Sequence, residues 1–248
     1  MTHLPTLWQY SFSHFNEKAR WALDHKRIPH RRWSLLPGGP RAMWFSVRGT
    51  LPVLDLDGER IVDSTRIIAA LEERQPEHPL YPEDAGARER ALELEEFFDE
   101  EMGHDVRRVA FFDWDARSAA ALMTTAQPSI VRVPFRATLP VGMRTFARTR
   151  FRIYPDDVEE SRGKILAALD RIEAELGSGE YLVSERFSVA DLTACALLYP
   201  LAWPDEVQYD PPRPHGWEFR DRLADRPALV WVRETYRRHR GSSASVSG

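Results

Sequence analysis

The sequence predicts an α+β protein: a four-stranded mixed sheet with helices on both faces, followed by an all-helical second half. Three observations lead there. Strand and helix signals alternate over residues 1–76. The stretch Pro76-Glu77-His78-Pro79-Leu80-Tyr81-Pro82 then places three prolines in seven residues, a linker signal. Beyond it, every patterned segment reads as helix.

Thr6 to Tyr10 reads as a short strand, and Phe15 to Lys26 as a helix with Phe15, Ala19, Ala22 and Leu23 on one side. Arg31 to Leu35 is a weaker strand, broken by Leu36-Pro37-Gly38-Gly39-Pro40. Leu51 to Leu56 is apolar and branched enough for a strand, Asp57-Gly58 is a two-residue hairpin signal, and Arg60-Ile61-Val62 returns. A proline at the head of a buried strand removes a ladder donor. The Leu51-Pro52 bond is therefore expected to be cis, turning the backbone of Val53 outward as a free donor and acceptor. Ser64 is expected to cap a helix from Thr65 to Gln75, with Ile67, Ile68 and Leu71 inward and the acidic Asp63 beside its first N–H groups.

The expected domains are a sheet domain over 1–76, a linker over 77–83, a helical domain over 84–240 and a disordered Ser/Gly-rich tail over 241–248. A long acidic helix begins near Asp84 and runs through Phe97-Phe98 towards Thr125. A second, from Asp156 to Leu176, repeats apolar residues at Ile165, Leu169, Ile172 and Leu176 and stops at Gly177. Ser188-Val189-Ala190-Asp191 has capping-box spacing, with Phe187 placed to staple against Leu192. The helix after it, to about Leu201, is apolar on nearly every side and belongs at the centre of its domain. Pro227 suits the first turn of a last helix ending near Arg240.

Composition excludes several classes. A net charge of -4 gives no case for general nucleic-acid binding. No apolar run has the length of a membrane span, and the N-terminus lacks the pattern of a secretory signal. The single cysteine, Cys195, excludes an intramolecular disulfide and lies in the apolar helix, where it reads as inert core. The eight histidines show no paired ligand spacing, so no metal is expected. A reducing, cytoplasmic setting fits all of this.

Three stretches carry a resemblance to the cytosolic glutathione S-transferase family. Ser13-His14-Phe15-Asn16-Glu17-Lys18-Ala19-Arg20 is similar to its Ser/Cys-Pro-Phe/Tyr-x-x-Lys/Arg-Val-Arg segment. Leu51-Pro52-Val53-Leu54 with Asp63-Ser64 is similar to its glutathione-binding strand and turn. Phe187-Ser188-Val189-Ala190-Asp191 is similar to the cap and staple of its central C-terminal helix. The stretches keep the family's order across most of the chain. His14 departs from the pattern, standing where the family usually has proline. The segment Gln127 to Tyr154 has no counterpart pattern. The resemblance implies a thioredoxin-like first domain, glutathione as co-substrate, a small apolar electrophile as second substrate, and a homodimer.

Glutathione's thiol has a reference pKa of about 8.5, so catalysis needs a donor that stabilises the thiolate. Ser13, at the start of the Phe15 helix, is the first candidate: helix N–H groups already favour negative charge there, and its hydroxyl adds one hydrogen bond. The plain alternative is an ordinary N-cap. Tyr10 ranks second, since several classes of the family use a tyrosine near the end of the first strand. Leu51, Pro52 and Val53 would hold the cysteinyl portion by its main chain. Ser64 and its helix start would take the γ-glutamyl carboxylate, and Asp63 the α-amino group. Arg41, Arg48 and Thr50 are available for the glycyl carboxylate.

From Ala116 to Pro155 there are seven arginines (Arg117, Arg132, Arg136, Arg144, Arg148, Arg150, Arg152) and no acidic residue. The plain reading is a solvated face, complementary to the acidic first half of the preceding helix across a subunit interface. The sharper reading is a pocket for an anionic electrophile, or contact with an acidic surface. The expected function is glutathione transfer. Isomerisation, dehalogenation and peroxide reduction stay open because each uses the same thiolate, and a binding protein that keeps the fold without turnover is the rival. Glutaredoxin-type disulfide exchange is disfavoured, because Ser13 stands where it needs a cysteine.

Overall fold

Four strands form one mixed sheet in the order β2-β1-β3-β4: β1 Thr6–Gln9, β2 Arg31–Ser34, β3 Val53–Leu56 and β4 Glu59–Val62. The computed structural model describes residues 4–37, 39, 41, 44, 50–134, 136, 153–209, 212–213 and 216–246. β1 runs parallel to β2 and antiparallel to β3, which is antiparallel to β4. Asp57 (φ 51°) and Gly58 (φ 85°) both take the left-handed conformation a two-residue hairpin demands. α1 (His14–His25) and α2 (Ser64–Arg74) pack on each other, burying Ala19, Leu23, Ile67, Ile68 and Leu71. This is the thioredoxin-like half.

The long acidic helix is not continuous. It divides into α3 (Ala85–Phe98), a π-helical turn over Asp99–Gly103 and α4 (His104–Asp113), with α5 (Ala116–Met123) restarting on an Asp115 cap. Long-range contacts break the pattern. Lys18 of α1 binds Asp99 at 2.5 Å, and a Cβ on Gly103 would stand 2.7 Å from the Phe15 ring. α6 (Pro155–Leu176) ends on Gly177 at φ 50°.

α7 (Val189–Ala202) is buried at every position and packs against α1, α3, α4 and the last helix, here α9 (Pro227–His239), with the short α8 (Glu218–Leu223) beside it. Its capping box forms, Asp191 accepting from both the main chain and the hydroxyl of Ser188. Phe187 lies among the rings of Trp21, His25 and His239.

The tail differs from its expected disorder. Ala244 N–H donates to Asp24 at 2.8 Å, and Val246 N–H donates to the carbonyl of His30 at 2.9 Å. Its composition gives no burial signal, yet its main-chain donors reach acceptors fixed by the core. Buried Arg240 leads into it, bonded to Glu17 (2.5 Å) and Asp24 (2.9 Å). Burial alone would raise the carboxyl of Glu17, but Arg240 and Arg20 outweigh it and hold it below the usual range. No helix among the described residues is long and apolar enough to cross a membrane.

Candidate functional site

The end of β1 turns tightly into α1. Ser13 N–H donates to the carbonyl of Tyr10 (3.1 Å), and Ser13 occupies the N-cap position in extended conformation. Its hydroxyl makes no capping hydrogen bond, so the first N–H groups of α1 and that hydroxyl face the same direction of need: an anion. The neighbouring His14 is buried and bonds through Nε2 to the carbonyl of Gly103 at 2.9 Å. Burial, then Arg107, push its imidazole down to about 3, so it is the neutral ring that donates. Where proline would stiffen this turn covalently, His14 ties it to the π turn of the helical domain.

Asn16 joins the pieces. Its Oδ1 accepts from Tyr10 N–H and its Nδ2 donates to the carbonyl of Leu51, both at 3.1 Å. The Leu51-Pro52 bond is cis. The expectation for Val53 needs correction: it opens β3 and pairs with Trp8 on one side and Val62 on the other, so the sheet absorbs its main chain. The outward donor is one residue back from the proline. Leu51 N–H has no hydrogen bond among the described residues.

The second correction moves the cap of α2 by one residue. Asp63, not Ser64, is the N-cap: its Oδ1 accepts from Thr65 N–H (2.9 Å) and Arg66 N–H (3.3 Å). It does so at φ 87°, a conformation costing roughly 1–3 kcal/mol for a non-glycine residue. Ser64 is the first helical residue, 2 % exposed, and its hydroxyl makes no hydrogen bond among the described residues. Asp63 N–H reaches the carbonyl of Pro52 at 3.4 Å, which sets the start of α2 beside the cis bond. Asn16 and this contact bring Ser13, Leu51, Pro52, Asp63 and Ser64 to one end of the sheet.

Beneath α2 lies a polar node that the sequence reading did not identify. Lys18 Nζ, fully buried, bonds Thr65 Oγ1 (2.8 Å) and Asp99 Oδ2 (2.5 Å) and pairs with Glu95 (2.8 Å). Burial alone would lower the lysine, but the carboxylates of Asp99 and Glu95 outweigh it and raise it above its ordinary value. Thr65 also donates to Asp99 at 2.7 Å. The node thus fixes the residue after Ser64 to both domains.

The remaining candidates scatter. Tyr10 stacks on Phe12 and packs with Leu35, Leu51 and Val53, and burial pushes its phenol up to about 12. Arg41 is exposed in a cavity with Trp8, Trp33 and Trp44. Thr50 is exposed beside Leu51, and Arg48 lies outside the described residues. Arg144, Arg148, Arg150 and Arg152 also fall outside them. No group of three or more metal-ligating side chains occurs among the described residues.

A four-stranded mixed sheet with a cis-proline turn and a capped helix start at one end, backed by an all-helical domain, is a thioredoxin-like two-domain architecture. Residues 7–79 match the glutathione S-transferase N-terminal domain and residues 135–227 match the C-terminal domain of the same name. The chain belongs to the glutathione S-transferase family. Similar solved structures include β-etherase LigF from Sphingobium sp. strain SYK-6, 22 % identical, covering 95 % of this chain and 100 % of that one with a TM-score of 0.64. Another is a glutathione S-transferase from Methylobacillus flagellatus KT with glutathione bound, 22 % identical over 93 % of each chain, TM-score 0.58. A probable maleylacetoacetate isomerase 2 from Drosophila melanogaster is 30 % identical over 99 residues, 37 % of this chain and 44 % of that protein. The match therefore spans under half the length of that relative.

Proposed function

We propose that this chain is a glutathione-dependent enzyme that activates the thiolate for attack on an electrophilic carbon. The observation that carries the reading is the convergence of three polar groups without a hydrogen bond among the described residues at one sheet end: the Ser13 hydroxyl, the Leu51 N–H and the Ser64 hydroxyl. Their chemistry fits an extended tripeptide. Leu51 would pair with the cysteinyl main chain. Ser64 and the first turn of α2 would hold the γ-glutamyl carboxylate, with Asp63 near the α-amino group. The sulfur would then lie over the start of α1.

There the thiol loses its proton to solvent, and the Ser13 hydroxyl donates to the thiolate. The sulfur lone pair forms a bond to the electrophilic carbon. In a substitution the leaving group departs with the electron pair of its broken bond; in an addition to a double bond the π pair moves to the neighbouring carbon, which takes a proton from water. If the adduct expels glutathione after a bond rotation, the net result is isomerisation. The relatives named as an etherase and an isomerase support both outcomes within one thiolate chemistry. Ser13 acts by hydrogen bonding and is not itself the nucleophile, since among the described residues no base bonds its hydroxyl and the adjacent His14 is turned to the carbonyl of Gly103.

Calorimetry with glutathione, paired with turnover of a nitro-activated aryl chloride, tests the reading. Removing one donor to a developing anion costs about 10²-fold or more in turnover. Ser13→Ala is thus expected to lower kcat about 100-fold with glutathione affinity changed less than threefold. Equal losses in both would contradict the role of Ser13, and no heat of binding in the unaltered protein would remove the reading altogether.

A further inference from the structure

Helix α5, the helical stretch 129–134 with Arg136, and the loop after α7 enclose a cavity of about 480 Å³. Its described lining holds Arg132, Arg136 and Arg213 against a single carboxylate, Asp205. Asp205 is already paired with Arg213 at 2.5 Å. Among the described residues the other two guanidinium groups have neutral partners: Arg132 donates to Ser129 Oγ (3.2 Å), and Arg136 donates to Thr124 Oγ1 (2.9 Å) and the carbonyl of Ala121 (3.3 Å). Thr124 is fully buried and anchored to the carbonyl of Ala120 at 2.8 Å, so one edge of Arg136 is held in place. Two cations with no counter-charge among the described residues, beside one cavity, suit an anion.

Contacts tie this cavity to the proposed thiolate site. Trp203 forms part of its wall and lies 6.3 Å, ring to ring, from Tyr199, whose hydroxyl donates to the carbonyl of Phe12 next to Ser13. Tyr209, in the same loop, accepts from Gln9 at the end of β1 (2.6 Å). Gln127, just beyond α5, donates to the carbonyl of Ser34 at the end of β2 (2.9 Å). The loop and the segment after α5 are therefore fastened to the same end of the sheet that carries Ser13.

We infer that the second substrate is anionic, and that Arg132 and Arg136 receive its carboxylate while Trp203 packs on its apolar body. This rests on the glutathione-dependent reading above and narrows the substrate class from apolar to amphipathic. The test uses two nitro-activated aryl chlorides that differ only in bearing a carboxylate or a carboxamide. The unaltered enzyme is expected to show a KM about tenfold lower for the carboxylate, the factor that about 1.4 kcal/mol corresponds to. In the double variant Arg132→Gln/Arg136→Gln the ratio of the two KM values should collapse towards 1. Turnover of both compounds with equal KM in the unaltered enzyme would overturn the anion site and leave the thiolate reading intact. If neither compound turns over, calorimetry with 4-nitrobenzoate against 4-nitrobenzamide decides. Tighter benzoate binding that the double variant loses upholds the site, and equal binding of the two overturns it.

Discussion

On the sheet side of the domain seam, polar groups are held by partners buried in the fold; on the helical side, arginines reach their partners from exposed positions, Arg136 to neutral acceptors and Arg213 to Asp205. Lys18 and His14 have almost no solvent contact, and each bonds across to the helical domain. Arg136 is exposed, and Arg213 is 56 % exposed in its side chain. On the proposed function, the difference suits what each side would bind. A ligand common to a whole family calls for fixed main-chain geometry, which buried braces supply. A variable electrophile calls for side chains that can change without unfolding the protein. The contrast is open to attack from either side.

The largest expected effect comes from breaking the deepest brace. Lys18→Met keeps the length of the side chain but leaves the Glu95 and Asp99 carboxylates without their cation. Removing one partner of a buried ion pair typically costs about 3–5 kcal/mol. Urea unfolding should show a loss of that size, with glutathione affinity falling because Thr65, next to Ser64, is released. Discrimination between carboxylate and carboxamide should persist in the folded fraction. Stability unchanged within about 1 kcal/mol would show that this node does not brace the site.

A smaller effect, set by pH, tests the tie across the seam. His14 titrates at about 3 in the fold against 6.5 for a free imidazole, because burial and then Arg107 disfavour the cation, with His104 adding a minor push. The unfolded chain therefore binds a proton that the folded protein refuses. Stability from this group is complete above pH 6.5 and declines as pH falls, at about 1.4 kcal/mol per unit. Between pH 6.5 and 5 that amounts to about 2 kcal/mol. His25, pushed down to about 4 chiefly by burial, adds to the same slope. His14→Gln keeps an amide donor for the carbonyl of Gly103 and has no titrating ring, so its slope should be shallower by the His14 share. Identical slopes in the two proteins, from denaturant titrations at pH 7 and 5, would mean that His14 takes up its proton without unfolding.

These residues also show how far the sequence could be read. The Asp57-Gly58 hairpin, the capping box at Ser188 and the stop at Gly177 were legible because each depends on neighbours within a few positions. The braces were not. His14 meets Gly103 across 89 residues, Lys18 meets Asp99 across 81, and Asn16 meets Leu51 across 35. A helix read for its apolar face gives no reason to expect three polar residues of its first turns to be buried. The π turn escaped for the same cause: the run from Asp84 has helical composition throughout, and its break follows from contacts made by α1. For Val53 a cis bond alone points the main chain outward, because the sequence does not show which residue the sheet claims first. Among the arginines, clustering was visible, but a row of like charges reads alike whether it lines a cavity or faces water.

Asp63 gives the finest test, because it can serve the fold and the ligand at once. As a cap it uses Oδ1, accepting from Thr65 and Arg66 N–H. As a ligand group it would use its charge. Asp63→Asn separates the two. Asparagine caps helices nearly as well as aspartate and is, with aspartate, among the non-glycine residues most often found at positive φ, where Asp63 stands at 87°. The loss in stability should be the helix-dipole contribution alone, about 0.3–1 kcal/mol. A hydrogen bond to a charged group contributes about 1.5–3 kcal/mol, so loss of the contact to the tripeptide's ammonium should weaken glutathione binding tenfold or more. Asp63→Ala would blur the result, since it removes cap and charge together in a backbone that alanine resists. Calorimetric affinity for glutathione within twofold of the unaltered protein, at preserved stability, would leave Asp63 a cap and nothing else. The ammonium would then have to be met elsewhere, and Asp99, whose Oδ1 is buried without a hydrogen bond one helix away, would be the next group to alter.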